Sequence, residues 1–163
     1  ETMRMVHKLR AEMDAIMVGT NTVLNDNPSL TVRHWAGKNP LRVIVDRTLR
    51  IPSHFHVLDG SVPTLVFTEK TVESRPGVDY ITADFSSNLL QQVLDSLSER
   101  KIQSLLVEGG TELLNSFIKA GLWNEIRVET AHVYLKDGIP APAIDKLAYS
   151  TILRNGSKID LYR

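Results

Sequence analysis

Two kinds of hydrophobic pattern alternate along the chain. Short β-rich runs at 15–18, 42–45 and 64–67 lie between polar stretches that contain Gly or Pro, which is typical of strands buried on both faces. The run at 78–82 is a further strand candidate. Val6, Leu9 and Met13 recur instead at i, i+3 and i+7, which predicts a helix before the first strand. Residues 21–24 predict a short helical turn that Pro28 ends, because the residue before a proline disfavours helix.

The second half of the chain repeats this alternation. Ser86 or Ser87 caps a helix with an apolar stripe, and residues 104–107 predict a buried strand. The helix Thr111–Ala120 follows, with Gly121 as its left-handed C-terminal residue, and 126–135 and 158–162 predict later strands. Strands that alternate with helices predict one α/β domain over residues 1–163, with a mostly parallel central sheet and helices on both faces.

The composition argues against several kinds of partner and site. The 163 residues include 19 basic side chains, 19 acidic side chains and no cysteine. The formal net charge of zero argues against a nucleic-acid partner. The absence of cysteine excludes disulfides and zinc–thiolate sites and fits the reducing cytoplasm. No apolar run approaches the about 18 residues that span a bilayer, so we expect no membrane partner. His54 and His56 lie in a Pro-flanked loop without further ligands, and we predict no metal site.

Gly109 and Gly110 join the strand at 104–107 directly to the helix Thr111–Ala120. Without side chains, backbone N–H groups approach an anion closely, and the first turn of a helix adds unpaired N–H donors and a partial positive charge. The turn therefore predicts a phosphate site. A tight strand-to-helix bend explains the two glycines equally well, since the three-glycine dinucleotide fingerprint and the P-loop are both absent.

Two charged residues lie where burial is expected. For Glu108, at the end of a buried strand, three roles are open: a cap for the turn, a bridge to a structural arginine, or a contact with a polar ligand. Arg10 lies within or beside the apolar stripe of the first helix, where a cation snorkels to water, pairs with a carboxylate or meets an anionic ligand.

The segment 22–33 combines hydrogen-bonding side chains with apolar anchors at Val23, Leu24, Leu30 and Val32. We predict a loop that is held in place, as binding loops often are. An ordinary Asx/Pro turn before a strand is the alternative.

These motifs follow the order of the reductase domain of the bifunctional riboflavin-biosynthesis deaminase–reductase family, which the chain resembles over most of its length. The most specific block is Asp26-Asn27-Pro28-Ser29-Leu30-Thr31-Val32-Arg33. The other matching stretches are Leu9-Arg10-Ala11 with Asp14-Ala15-Ile16, Val18-Gly19 through Thr22-Val23-Leu24, Arg42-Val43-Ile44-Val45-Asp46, Val107-Glu108-Gly109-Gly110, Gly121-Leu122 with Asn124-Glu125-Ile126, and Gly138-Ile139-Pro140-Ala141-Pro142.

The resemblance implies a dihydrofolate-reductase-like fold and NADPH-dependent reduction of 5-amino-6-(5-phosphoribosylamino)uracil to its ribitylamino form. It also implies a homodimer, with the strand at 126–135 at the interface. The positions implied to contact the substrate are Arg10, Leu30, Arg33 and Glu108. Those implied to contact the cofactor are Thr22, Asp26, Arg47, Gly110, Thr111, Glu112, Leu113, Leu114, Asn115 and Ser116. Two arginines complement a phosphate monoester, which carries a charge of about −1.5 to −2.

The chain departs from the family pattern in two places. The family usually has a small hydroxyl residue where this chain has Arg47, which either alters how the adenosine 2′-phosphate is held or holds it directly. The family's opening strand with Ser-x-Asp-Gly, and the upstream zinc deaminase with its His-x-Glu and Pro-Cys-x-x-Cys signature, are not found before Glu1. We therefore expect a reductase domain that lacks its first strand.

Asp26 is the candidate catalytic residue, because it is acidic and lies in the polar loop. Proton delivery and placement of the cofactor by hydrogen bonds are both open roles for it. Two other functions are open as well: reduction of the non-deaminated diaminopyrimidine, and a non-catalytic nucleotide-binding or dimerisation fragment. The two arginines disfavour an unphosphorylated pterin as the substrate.

Overall fold

The computed structural model describes residues 2–134, 136–154 and 156–163, and its contacts divide the chain into two compact units, 1–110 and 111–163. The first unit consists of α1 (Thr2–Glu12), β1 (Ala15–Gly19), α2 (Thr20–Asp26), β2 (Leu41–Val45), a 3₁₀ turn (His56–Leu58), β3 (Thr64–Thr68), β4 (Val78–Thr82), α3 (Leu89–Glu99) and β5 (Leu105–Gly109). The second consists of α4 (Thr111–Ala120), β6 (Ile126–Ala131), β7 (Ser150–Arg154) and β8 (Ser157–Tyr162).

A five-stranded parallel sheet forms the centre of the first unit. Its order is β4-β3-β2-β1-β5, and every neighbouring pair is parallel. Ala15, Ile16 and Met17 of the inner strand β1 are fully buried, which is why that strand reads as a continuous apolar run. The predicted strands at 15–18, 42–45, 64–67 and 78–82 are confirmed, and so is the mostly parallel α/β class.

The ends of two predicted elements in this unit are wrong. α3 begins at Leu89 with Asn88 at its N-cap, because Ser86 donates its N–H and hydroxyl to the Asp84 carboxylate instead (2.8 and 2.6 Å); Ser87 is not the cap either. β5 begins at Leu105 and not at 104, since Ser104 is hydrogen-bonded to Asp14 through its N–H and its hydroxyl. β5 also continues to Gly109, which is a strand residue.

The second unit contains α4 and an antiparallel sheet of order β6-β8-β7. Gly121 ends α4 with a φ of 66°, and the N–H groups of Gly121 and Leu122 donate to Ile118 and Phe117 (both 3.1 Å), which confirms the predicted left-handed cap. The predicted strand at 126–135 ends at Ala131, because pairing with β8 ends there; its last predicted residue, 135, lies outside the described residues. β7 was not predicted.

Across the described parts of both units, no helix has the length and apolar character needed to cross a membrane.

Candidate active site

The carboxyl ends of β1, β2 and β5 lie side by side in the first unit, at the edge of a parallel sheet where ligands usually bind. Gly109 pairs with Val18, and Gly19 pairs with Val45. The Thr20 hydroxyl donates to the Val45 carbonyl (2.6 Å), which joins the ends of β1 and β2. This edge therefore positions the residues that follow each strand.

A β-bulge sets the direction of Glu108. Pairing between β1 and β5 passes from Met17–Val107 to Val18–Gly109, so Glu108 is an extra residue without a partner in β1. A bulge of this kind changes the direction in which a side chain points. The carboxylate is 20% exposed and turns to Arg10.

Arg10 and Glu108 form a two-point ion pair. The Arg10 Nε donates to Oε1 of Glu108 (2.8 Å) and Nη2 donates to Oε2 (2.5 Å), the geometry in which guanidinium and carboxylate bind most strongly. A third donor, Nη1, reaches the Thr31 carbonyl (3.3 Å). Of the roles left open by the sequence, the structure shows pairing for Arg10 and the bridge to an arginine for Glu108. It brings two predicted substrate residues into direct contact.

Four side chains hold the loop after α2 in place. Arg42 Nε donates to the Ser29 carbonyl (2.9 Å), Arg10 to the Thr31 carbonyl, and the Asn39 amide oxygen accepts from the Val32 N–H (2.8 Å). His7 Nδ1 accepts from the N–H of Arg33 (2.9 Å). The prediction of a loop that is held in place is confirmed.

The Arg42 side chain is itself buried. It also donates to the His56 carbonyl and to Asp59 (both 3.0 Å). Burial raises the pKa of Asp59, but hydrogen bonds from Ser61 and from Arg42 outweigh it and lower that pKa to about 2. A charged aspartate thus holds the arginine that anchors the loop.

Leu30 lies at the centre of this loop with an unusual backbone. Its φ is 53°, and the whole residue is only 2% exposed, packed in the core with Val23 and Ile44. A non-glycine residue adopts positive φ only when its surroundings impose it. Leu30 is therefore a buried anchor of the loop.

His7 was not singled out from the sequence, although it lies at the site. Burial lowers its pKa, and the positive charges of Arg10, His34 and Arg33 lower it further, while Glu108 opposes them. The signal that was available is the spacing: His7 lies three residues before Arg10, on the same side of α1.

Arg33 lies beside an open cavity of about 490 Å³, which is lined by Arg4, Arg33, His34, Trp35 and Ala36. The guanidinium of Arg4 lies over the Trp35 ring (5.0 Å to its centre). Among the described residues, the Arg33 guanidinium has neither a hydrogen bond nor an ion pair.

Of the two glycines of the turn, only Gly110 is explained by lack of space for a side chain. Neither Gly109 nor Gly110 has positive φ, so conformational freedom is not the reason for them. A Cβ on Gly110 would lie 3.1 Å from the Thr22 hydroxyl oxygen, and one on Gly109 would lie 3.4 Å from the Thr22 methyl carbon. Thr22 and Gly110, two predicted cofactor residues, are therefore in close contact.

Arg47, the predicted cofactor residue after β2, is already paired. Its Nη2 lies 2.8 Å from Oε1 of Glu69, and its guanidinium lies 5.9 Å from the centre of the Phe85 ring. The hydrogen bond from Arg47 lowers the pKa of Glu69. An anion that binds Arg47 would therefore compete with Glu69.

The other predicted residues are not brought into these contacts. Asp26 is the exposed last residue of α2 and has no hydrogen-bonding partner among the described residues. Thr111 and the predicted residues that follow it, through Ser116, lie on α4 in the second unit. There the Thr111 hydroxyl donates to the Pro140 carbonyl (3.0 Å).

Within residues 2–134, 136–154 and 156–163, no group of three or more His, Cys, Asp or Glu side chains is arranged to hold a metal ion. His54 and His56 are both exposed.

The family described as the RibD C-terminal domain matches residues 1–135 of the chain. The 2,5-diamino-6-ribosylamino-4(3H)-pyrimidinone 5′-phosphate reductase of Methanothermobacter thermautotrophicus is 41% identical over 137 residues, which cover 78% of this chain and 63% of that protein. The riboflavin biosynthesis protein RibD of Aquifex aeolicus is 36% identical over 146 residues, which cover 85% and 40%.

Solved structures give the same result. A diaminohydroxyphosphoribosylaminopyrimidine deaminase/5-amino-6-(5-phosphoribosylamino)uracil reductase of Thermotoga maritima matches with a TM-score of 0.82 and 28% identity, over 96% of this chain and 47% of that one. The riboflavin biosynthesis reductase Rib7 of Saccharomyces cerevisiae, at 22% identity, shares the fold with a TM-score of 0.78, over 98% and 79%. These likenesses confirm the predicted dihydrofolate-reductase-like fold. The chain spans less than two thirds of the length of the first curated relative and about half of the Thermotoga protein.

Proposed function

Because the chain belongs to the RibD C-terminal domain family, we propose that it is an NADPH-dependent reductase of riboflavin biosynthesis. Its substrate is a phosphoribosylamino-pyrimidine, which it reduces to the ribitylamino form. The names of these relatives support this substrate class.

The proposal rests mainly on one observation: Arg10 connects Glu108 to the loop that ends at Arg33. Arg10 binds both Glu108 and the Thr31 carbonyl, and the Arg33 guanidinium is left without a partner among the described residues. A phosphate monoester is the anion that a free guanidinium binds best, through charge-assisted hydrogen bonds. Both oxygens of Glu108 keep lone pairs for donors of the pyrimidine.

The first unit also has groups that fit a nicotinamide dinucleotide. The Thr22 hydroxyl lies against the side-chain-free backbone of Gly110, where it can hydrogen-bond a phosphate, and Arg47 offers a guanidinium to the 2′-phosphate. We assign Gly110 and the α4 residues through Ser116 to cofactor binding on the resemblance alone. When bound, the reduced nicotinamide supplies the hydride, and the protein mainly positions the two reactants.

Asp26 is assigned to this site in one of two roles. It either delivers the proton that accompanies the hydride, or it holds the cofactor through a hydrogen bond. Its exposed position at the end of α2 leaves both its carboxylate oxygens available to a ligand.

One observation favours a second substrate form. The relative at 41% identity is named for the non-deaminated 2,5-diamino compound, whereas the relative named RibD has 36% identity. The two substrates differ at one exocyclic group of the ring, an amine in one and a carbonyl in the other. A hydrogen-bonding site discriminates strongly between a donor and an acceptor, so the two forms are separable by their relative kcat/KM.

We also propose that the chain forms a single reductase domain and that two copies of it form a homodimer. The family match spans the boundary between the two units, which supports a single reductase domain. In the second unit β6 is an edge strand, and apolar side chains such as Tyr134, Leu147 and Leu153 are exposed. Edge strands and exposed apolar groups are typical of surfaces that pair with another chain.

Initial rates with both pyrimidine substrates, each with NADPH and NADH, test the proposal. We expect oxidation of NADPH that depends on substrate and is lost when the sugar phosphate is removed. Arg33→Gln should raise KM by about tenfold to a hundredfold, the value of one charge-assisted hydrogen bond. Arg100→Gln is the matched control. Arg100 is exposed and far from Arg33 in the sequence, and its side chain bonds only to Ser96 among the described residues. Binding of NADPH without oxidation would favour a non-catalytic nucleotide-binding fragment.

A further inference from the structure

His7 is a buried histidine on α1 with one used and one unused nitrogen. It has no exposed surface, and its Nδ1 accepts the N–H of Arg33 (2.9 Å). Its Nε2 has no hydrogen-bonding partner among the described residues. Since Nδ1 is an acceptor, the neutral ring carries its proton on Nε2.

The ring of His7 also supports the residue after Arg33. Its centre lies 4.8 Å from the centre of the His34 ring, and the two planes are nearly perpendicular, a favourable arrangement for ring pairs. His7 therefore contacts two successive residues of the loop. The Arg33 guanidinium has no partner in the part of the chain described. Its position therefore depends on where the Arg33 backbone is held.

Arg33 and Arg4 form a positive wall on the cavity beside this loop. Neither has a carboxylate partner among the described residues. A concave surface lined by one sign of charge raises the local concentration of the opposite ion, which here is an anion.

We propose that His7 is a positioning residue: by accepting the Arg33 N–H, it holds the Arg33 guanidinium at the cavity wall, where that group binds the phosphate of the substrate. The inference rests on the proposed function for the identity of the ligand. It predicts that the neutral imidazole is the form that supports binding.

Burial and most of the charged groups that face His7 lower its pKa and so favour the neutral ring. Arg10, Arg33 and His34 oppose a second proton on the ring, and only Glu108 favours one. Protonation at Nδ1 would place two N–H groups against each other, so the contact with Arg33 would be lost on acidification.

Calorimetric titration with ribose 5-phosphate tests the proposal in the intact chain. His7→Leu fills the space but removes the acceptor, while His7→Asn retains an acceptor oxygen close to the position of Nδ1. We expect affinity to fall about tenfold in His7→Leu, as for the loss of one hydrogen bond, and to stay within about threefold of wild type in His7→Asn. The exposed His54 is the control, and His54→Leu should leave the affinity unchanged.

Two further readouts separate positioning from a merely structural role. Hydrogen exchange at the Arg33 amide should be faster in His7→Leu and near wild type in His7→Asn. Acidification should weaken binding more in wild type than in His7→Asn, since the ligand phosphate titrates equally in both; this comparison stands even if His7→Leu does not fold.

Unchanged affinity in His7→Leu, or an equal loss in both variants, would overturn the proposal. So would a wild-type chain that does not bind ribose 5-phosphate. A wild-type chain that binds this probe but does not oxidise NADPH contradicts the proposed reductase activity and leaves the positioning role supported.

Discussion

Replacing Glu108 by glutamine while Arg10 remains leaves a guanidinium that has lost its counter-charge in a largely closed site. Two unit charges about 4 Å apart interact by about 4 kcal/mol at an effective dielectric constant of 20, and by about 1 kcal/mol in bulk water. The two side chains are only 12% and 20% exposed, so the pair lies nearer the first value. Desolvation offsets part of this attraction.

We therefore expect a coupling energy of about 2 kcal/mol between Arg10 and Glu108, above the about 0.2–1 kcal/mol of an exposed pair. Glu108→Gln alone should cost about 2–3 kcal/mol, because a buried charge loses a two-point partner. Arg10→Met should cost at least as much, since the bond to the Thr31 carbonyl is lost too.

Urea unfolding of the two single variants and the double variant measures this coupling. Trp35 lies in the first unit and Trp123 in the second, so a Trp123→Phe background makes the fluorescence report on the unit that contains the pair. The control cycle is Lys8–Glu12, an exposed pair on α1 at 3.5 Å, with an expected coupling of about 0.3–0.5 kcal/mol. Single-variant effects that simply add, or a coupling no larger than that of the control, would refute the reasoning.

Three other predictions follow from the site. Asp26→Asn should lower kcat with NADPH affinity kept if Asp26 delivers a proton; lost affinity at unchanged kcat, measured by steady-state rates and NADPH titration, would show the cofactor role instead. Glu69→Gln should release Arg47 and raise the ratio of NADPH to NADH affinity several-fold, whereas an unchanged ratio would place the 2′-phosphate elsewhere. Because the folded pKa of Asp59 is about 2, below its ordinary 3.8, the stability that it contributes is complete above about pH 4 and is lost as pH falls towards 2; acid unfolding of Asp59→Asn should lack this component, and identical acid profiles would count against it.

The sequence was sufficient for most of the parallel sheet because its inner strands β1, β2 and β3 are largely buried. The run 15–18 is apolar throughout and 64–67 is apolar after Thr64, so both are visible without knowledge of their neighbours. β7 has the opposite character: Ser150–Arg154 is polar at both ends and mostly exposed, and it forms a strand only by pairing with β8. The cap of α3 was wrong for a similar reason, since Asp84 takes the hydrogen bonds of Ser86.

In the candidate site, too, single residues were predictable from the sequence, but their contacts with distant parts of the chain were not. The sequence suggested Arg10 and Glu108 because each is a charge in an apolar context, but their pairing joins positions 98 residues apart, and the bulge that turns Glu108 depends on a neighbouring strand. The spacing from Arg10 is the one local signal for His7, because its role is set by the Arg33 N–H across the loop. The need for glycine at 110 likewise comes from Thr22, not from the backbone conformation of the turn.

The most direct test of the central claim follows the hydride. The chain is incubated with a phosphoribosylamino-pyrimidine and NADPH that carries deuterium in place of the transferred hydrogen, and the product is examined by mass spectrometry and NMR. We predict one deuterium at the sugar C1′ of a ribitylamino product, in equal amount to the NADPH oxidised, and far less product with Arg33→Gln at low substrate concentration. Substrate and NADPH that both bind while no deuterium reaches C1′ would contradict the assignment as a reductase.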